Sequence, residues 1–304
     1  MDDRLLVLNR DDDCLSVVDP ETSETLDEVT TAFDPRTIES SPDNNKSYIS
    51  CSQANTLQVV DNETFEITSQ LTHELFDGPR GLAVRESTNE LWVVSEHNSQ
   101  VFVFDIETDA LLDIISTHQS KSNTISLNSD ESRAYVTNSS GNTVTVIDCE
   151  KRRISVDVPV GDGPEGVAVN PETDNIYVTI QTESRLTIHD PERHSMIYET
   201  ELGESPMGIV FSPDNAVALV PNRCSNDVSI IETRFHRDGD GRPWEVERVP
   251  VGIWPGNVVF NTDGSRAYVT NNKTNDVSVI DVAKRAEVDR IDVRTYPDGI
   301  TYLQ

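Results

Sequence analysis

The chain has 304 residues, 36% of them hydrophobic, with 54 acidic against 24 basic residues and a formal net charge of −30. That length exceeds one ordinary core, so it calls for two domains or for an all-β architecture that runs long as a single unit. The charge argues against nucleic acid and anionic membranes as partners, since both are bound through Lys and Arg, while acids spread along a lysine-poor chain point to a salt-adapted, halophilic surface on which counter-ions screen self-repulsion.

The opening MDDRLLVLNRDDD holds no apolar segment long enough for a signal peptide or membrane span, and no later run approaches about 18 apolar residues. A cytoplasmic protein is expected. Residues 4–19 then read as strand, polar turn and strand, closing on Asp19. The same phrase returns as SYISCSQANTLQVVD, LWVVSEHNSQVFVFD, AYVTNSSGNTVTVID, IYVTIQTESRLTIHD, ALVPNRCSNDVSIIE and AYVTNNKTNDVSVID, closing on Asp61, Asp105, Asp148, Asp190, Glu232 and Asp281 at spacings of 42, 44, 43, 42, 42 and 49. Each phrase alternates with the period 2 of half-buried strands, here named B and C. A turn such as DPETSE and an outer strand D such as TLDEV follow it, and an inner strand A entered through a turn such as GPRGLAV or GPEGVAV precedes it.

A period in the low forties with four strands per unit is the signature of a β-propeller. Residues 297–302 form an inner strand with no blade after it, and residues 4–19 a blade with no inner strand before it, so the ends complete one another and leave no free sheet edge. The predicted fold is all-β: one seven-bladed propeller over residues 1–304, its first blade shared between residues 1–30 and 297–304.

YVTN at residues 135–138 and 268–271, each followed by N-x-V-[ST]-V-I-D, resembles the YVTN repeat family of β-propellers, and the resemblance covers essentially the whole chain. Cys51, Ser95 and Ile180 replace the motif asparagine in three repeats. The resemblance implies the fold; its members resemble surface-layer proteins, lactonase-like and streptogramin-lyase-like enzymes and propellers of redox subunits, so it selects no chemistry.

In such a ring the B–C turns and the turns entering the inner strands share one face, where ligands are expected. The residues entering the inner strands are Arg36, Arg80, Asn123, Glu165, Met207, Gly256 and Asp298. Arg36 and Arg80 can grip a carboxylate or phosphate, or pair with acids such as Glu165 and Asp298. His73, His97 and His118, with Glu96, lie in turns of that face and offer acid–base or metal chemistry, without any metal-ligand spacing. Cys14, Cys51, Cys149 and Cys224 form no C-x-x-C pair, and no disulfide is expected. The insertion at residues 234–249 explains the spacing of 49. It faintly resembles a calcium loop at Asp238 and Asp240 but reads as a long C–D hairpin, with Trp244 and Trp254 covering blade edges. Asp11, Asp12 and Asp13 read as a solvated turn. The expectation is a monomeric binding platform for a small anion or a protein partner, with no assigned cofactor or metal; a lactonase-like or lyase-like enzyme and a subunit of a larger complex are the alternatives.

Overall fold

The structure, a computed structural model, describes residues 3–233 and 244–304. Among them are seven four-stranded antiparallel sheets, the predicted seven-bladed propeller, and two single-turn 3-10 helices. No helix among the described residues is long and apolar enough to cross a membrane. The ring closes where β28 (Pro297–Leu303) pairs with β1 (Arg4–Asn9), which continues into β2 (Cys14–Asp19) and β3 (Glu24–Thr30). The aspartates read as a solvated turn fasten the first blade on both sides: Asp12 Oδ2 accepts from Thr295 N, beside the closure, at 2.7 Å, and Asp13 Oδ1 from Asp34 N, at the entry to the second blade, at 2.9 Å. The Thr295 hydrogen bonds hold the Asp12 carboxyl below its ordinary value.

The period-2 alternation has a different cause from the half-buried strands expected of it. Strands B and C are buried on both faces, because each blade is sandwiched between two neighbours. In β13 (Arg133–Asn138), Tyr135 packs toward the next blade, while Ala134 and Val136 pack against Trp92 and Val94 of the preceding one. The alternating hydroxyls are therefore buried and need partners. The motif asparagine supplies them: Asn9, Asn138, Asn222 and Asn271 donate through Nδ2 to Ser16, Thr145, Ser229 and Ser278, each seven residues on, at 2.7 to 2.9 Å. Where Cys51 replaces the asparagine, the residue seven on is Gln58, and the thiol contacts its amide at 3.6 Å.

The closing aspartate of the phrase caps the C–D turn. Asp19, Asp61 and Asp190 each accept two turn N–H groups, and Asp148 and Asp281 accept one plus a lysine. Such short polar side chains nucleate the turn locally. Burial pushes the Cys51 and Cys149 thiols up to about 12, and all four cysteines are free.

Two devices bring the inner strands together around the channel. The hydroxyl at the motif's third position reaches the next blade's inner strand: Ser50 donates to the carbonyl of Arg80, Thr137 to that of Glu165, Thr179 to that of Met207 and Thr270 to that of Asp298, at 2.5 to 3.0 Å. Glycine then permits contact. A Cβ on Gly81 would lie 2.5 Å from the Asn123 carbonyl oxygen, and one on Gly299 would lie 2.6 Å from that of Arg36.

Candidate functional site

The channel opens into a cavity of about 600 Å³ on the face of the B–C turns, within the range of small-molecule sites. Its lower tier is the inner-strand ring. Arg36, Arg80, Asn123, Glu165, Met207 and Asp298 all line it; Gly256 does not, and its neighbour Asn257 takes that place. An upper tier comes from the residue immediately after the motif asparagine or its replacement: Arg10, Ser52, Glu96, Gln181 and Arg223. Of this tier the sequence singles out only Glu96, although the repeat marks the position.

Charged groups form two chains across the mouth. In the first, Arg80 Nη2 meets Glu165 Oε1 at 2.7 Å and Nη1 meets Glu96 Oε2 at 3.3 Å, while Asn123 Nδ2 donates to Glu165 Oε2 at 2.7 Å and Lys121 Nζ stands 3.8 Å from Glu96. In the second, Asp34 joins Arg10 to Arg36, Arg36 stands 3.8 Å from Asp298, and Asn257 Nδ2 donates to Asp298 Oδ1 at 3.0 Å. Both chains end on an asparagine. Burial lowers the Arg80 value, but Glu165, Glu96 and Asp298 more than offset it and the net shift is upward, so this guanidinium stays charged.

Five basic side chains (Arg10, Arg36, Arg80, Lys121 and Arg223) thus face four acidic ones (Asp34, Glu96, Glu165 and Asp298) in the cavity wall, within a chain of net charge −30. The mouth holds one more basic than acidic side chain, on a body that is acidic. The guanidinium groups gathered there offer forked hydrogen bonds to an anionic ligand.

The histidines separate. His97 lines the cavity, its Nδ1 3.2 Å from Asp77 Oδ1. Its position is set by the turn beneath: Glu96 N donates to Gly78 O at 2.8 Å, and Gly78, at φ 71°, has its missing Cβ 2.8 Å from His97 Nδ1. His73 accepts from Leu75 N at 3.1 Å and lies beside Phe102, and His118 contacts Ser116 Oγ at 3.3 Å; neither is in the cavity wall. The three imidazoles share a face but no focus, because each turn aims its side chain independently of the repeat. Among the described residues no three His, Cys, Asp or Glu side chains could together hold a metal ion, and every cavity carboxylate already faces an arginine or asparagine. The residues at the mouth therefore do not fit a resident metal. His236, Asp238 and Asp240 lie outside the described residues.

The residue that ends each turn before the inner strand is left-handed in all seven blades: Asp34, Gly78, Lys121, Gly163, Ser205, Trp254 and Tyr296, at φ between 58° and 71°. Trp254 was expected to cover a blade edge. It sits instead in this turn, 38% exposed, with Lys273 Nζ 5.0 Å and Arg223 Cζ 6.0 Å from its ring.

The model of the SMP-30/gluconolactonase/LRE-like region family matches residues 95–220, which carry Glu96, His97, Asn123 and Glu165 of the cavity wall. The chain is thus similar to that family over part of its length. No curated protein matches it. Solved structures resemble it throughout: hydrazine synthase of Kuenenia stuttgartiensis (18% identity, 89% of this chain and 90% of that one, TM-score 0.79) and a functionally unknown protein of Desulfotomaculum acetoxidans (12%, 99% and 99%, 0.85). A Bacteroides fragilis protein assigned by name as a 6-phosphogluconolactonase is similar too (15%, 100% and 98%, 0.80). At such identities the likeness is one of fold.

Proposed function

We propose that the chain is an enzyme of the lactonase-like kind that hydrolyses a small anionic lactone or ester at the mouth of the channel. The observation that carries this reading is the His97–Asp77 pair, whose imidazole stands on the wall of a cavity that also carries Arg36 and Arg80. The partial family match and the lactonase name of one fold neighbour support it over a passive platform.

Asp77 at Nδ1 favours the tautomer that leaves Nε2 free to accept a proton. His97 takes that proton from water, and the water oxygen bonds to the acyl carbon. The ring C–O bond then breaks and the leaving alkoxide receives the proton from the imidazolium, giving the hydroxy acid. A guanidinium has five N–H donors, and Arg80 spends two hydrogen-bonding nitrogens on Glu165 and Glu96. Its remaining donors and those of Arg36 orient the substrate's anionic group and stabilise the oxyanion.

A pH-stat assay over lactones with and without a carboxylate tests this. Carboxylated lactones should be preferred, and His97→Ala should lower kcat by about 100-fold or more, the usual worth of a general base. No turnover of any lactone, or full activity in the variant, would overturn the catalytic reading. Anion binding without turnover would return the chain to a binding platform.

A further inference from the structure

On the side of the mouth formed by the sixth, seventh and first blades, cations rest on aromatic rings. Arg223 and Lys273 share the Trp254 ring, Lys273 also lies 5.0 Å from the Tyr296 ring centroid, and Arg10 lies 5.2 Å from it on the same ring. Arg10 is paired with Asp34. Arg223 and Lys273 have no acidic partner among the described residues: Arg223 makes one long contact, 3.5 Å, to the Asn272 amide, and its buried Nε has no acceptor.

A carboxylate neutralises the cation it positions, whereas an aromatic face positions a cation and leaves its charge unspent. Two bulky aromatic residues also occupy the left-handed position here, Trp254 at φ 60° and Tyr296 at φ 59°. That conformation belongs to this turn in all seven blades, and here it seats two rings beside the cations. In a chain with 54 acidic residues, two adjacent cations with no carboxylate partner leave a demand for an anion that the fold itself does not meet.

We infer that Arg223 and Lys273, seated on Trp254, form a second anion subsite at the rim, so that the cavity takes an organic dianion with one charged end at Arg36 and Arg80 and the other at Arg223 and Lys273. This rests on the cavity being the ligand site and adds the substrate's second charge.

Calorimetric titration with dicarboxylates from succinate to adipate, each against the monocarboxylate of equal chain length, tests it. At one chain length the dianion should bind at least tenfold more tightly, and it should perturb Trp254 fluorescence, identified by subtracting the Trp254→Phe variant. Arg223→Met with Lys273→Met should abolish the dianion's advantage over the monoanion while leaving the melting temperature unchanged. Equal affinity for both classes, or equal loss of both in the double variant, overturns the second subsite but leaves the cavity as an anion site. If neither class binds, the subsite and the proposed function fall together.

Discussion

Seven residues after each motif asparagine stands a small hydroxyl, Ser16, Thr145, Ser229 or Ser278, held in the same way each time. At the channel mouth the positions entering the inner strands carry Arg36, Arg80, Asn123, Glu165, Met207 and Asp298, with Asn257 in place of Gly256. The difference is one of surroundings. A hairpin residue lies between two blades and meets similar neighbours from repeat to repeat, so one solution serves four of the seven. Mouth residues project into a common space and meet one another, so each must differ for the group to grip a single asymmetric ligand.

If that division is right, damage to the hairpin framework appears in stability and damage to the mouth in binding. The largest effect should come from deleting residues 297–304, which removes the closing strand and bares the edge of β1. Calorimetry should show loss of the cooperative melt; a truncated chain melting like the full one would refute closure.

His189 lies where other repeats place Val18, Val60, Ile147 or Ile280, directly before the closing acid. Burial depresses its value from 6.5 to about 4. The unfolded chain therefore binds the extra proton between those values. The neutral imidazole's contribution is complete above about pH 6.5 and is lost as pH falls to about 4, worth about 3 kcal/mol. His189→Ile should flatten that acid limb in urea titrations run at pH 4 and pH 7; an unchanged limb would mean the shift lies elsewhere.

Asn138→Ala should cost about 1 to 3 kcal/mol, since it strips partners from the buried hydroxyls of Thr145 and Ser122, and should leave carboxylate affinity unaltered. Arg80→Met is the counterpart. Its partners Glu165 and Glu96 are buried but keep Asn123 and Lys121 beside them, so stability should fall by about 1 to 2 kcal/mol, while carboxylate affinity, untouched by Asn138→Ala, should fall about tenfold or more by calorimetry. A reversal of these two outcomes would break the comparison. The smallest effect is expected from salt: a halophilic surface predicts that the melting midpoint climbs by a few degrees from low to molar KCl, and a flat or falling midpoint would withdraw it.

The fold was legible because the closing aspartates and the motif asparagine recur at fixed spacing, and both perform framework tasks that every blade needs. Most of the lower tier was legible for the same reason, as a position in the repeat. Arg10, Asp34 and Arg223 were not singled out, although the first and last occupy the position following the motif asparagine. Periodicity identifies a position, whereas their importance lies in charges brought together from blades distant in sequence. The direction of a turn side chain was not legible at all, which is why His73, His97 and His118 looked equivalent while only His97 faces the cavity. Trp254 was read as an edge cover because an isolated tryptophan carries no sign of the two cations that the fold sets against it.

The pairing of Arg4 with Leu303 and of Asn9 with Pro297 also fixes an orientation. Asn9 and Pro297 are at the mouth, so Arg4 and Leu303 lie at the far end of their strands, on the opposite face of the disc. A tether attached at either end of the described chain would hold the propeller mouth outward from a sensor chip or bead, with the cavity facing the solution.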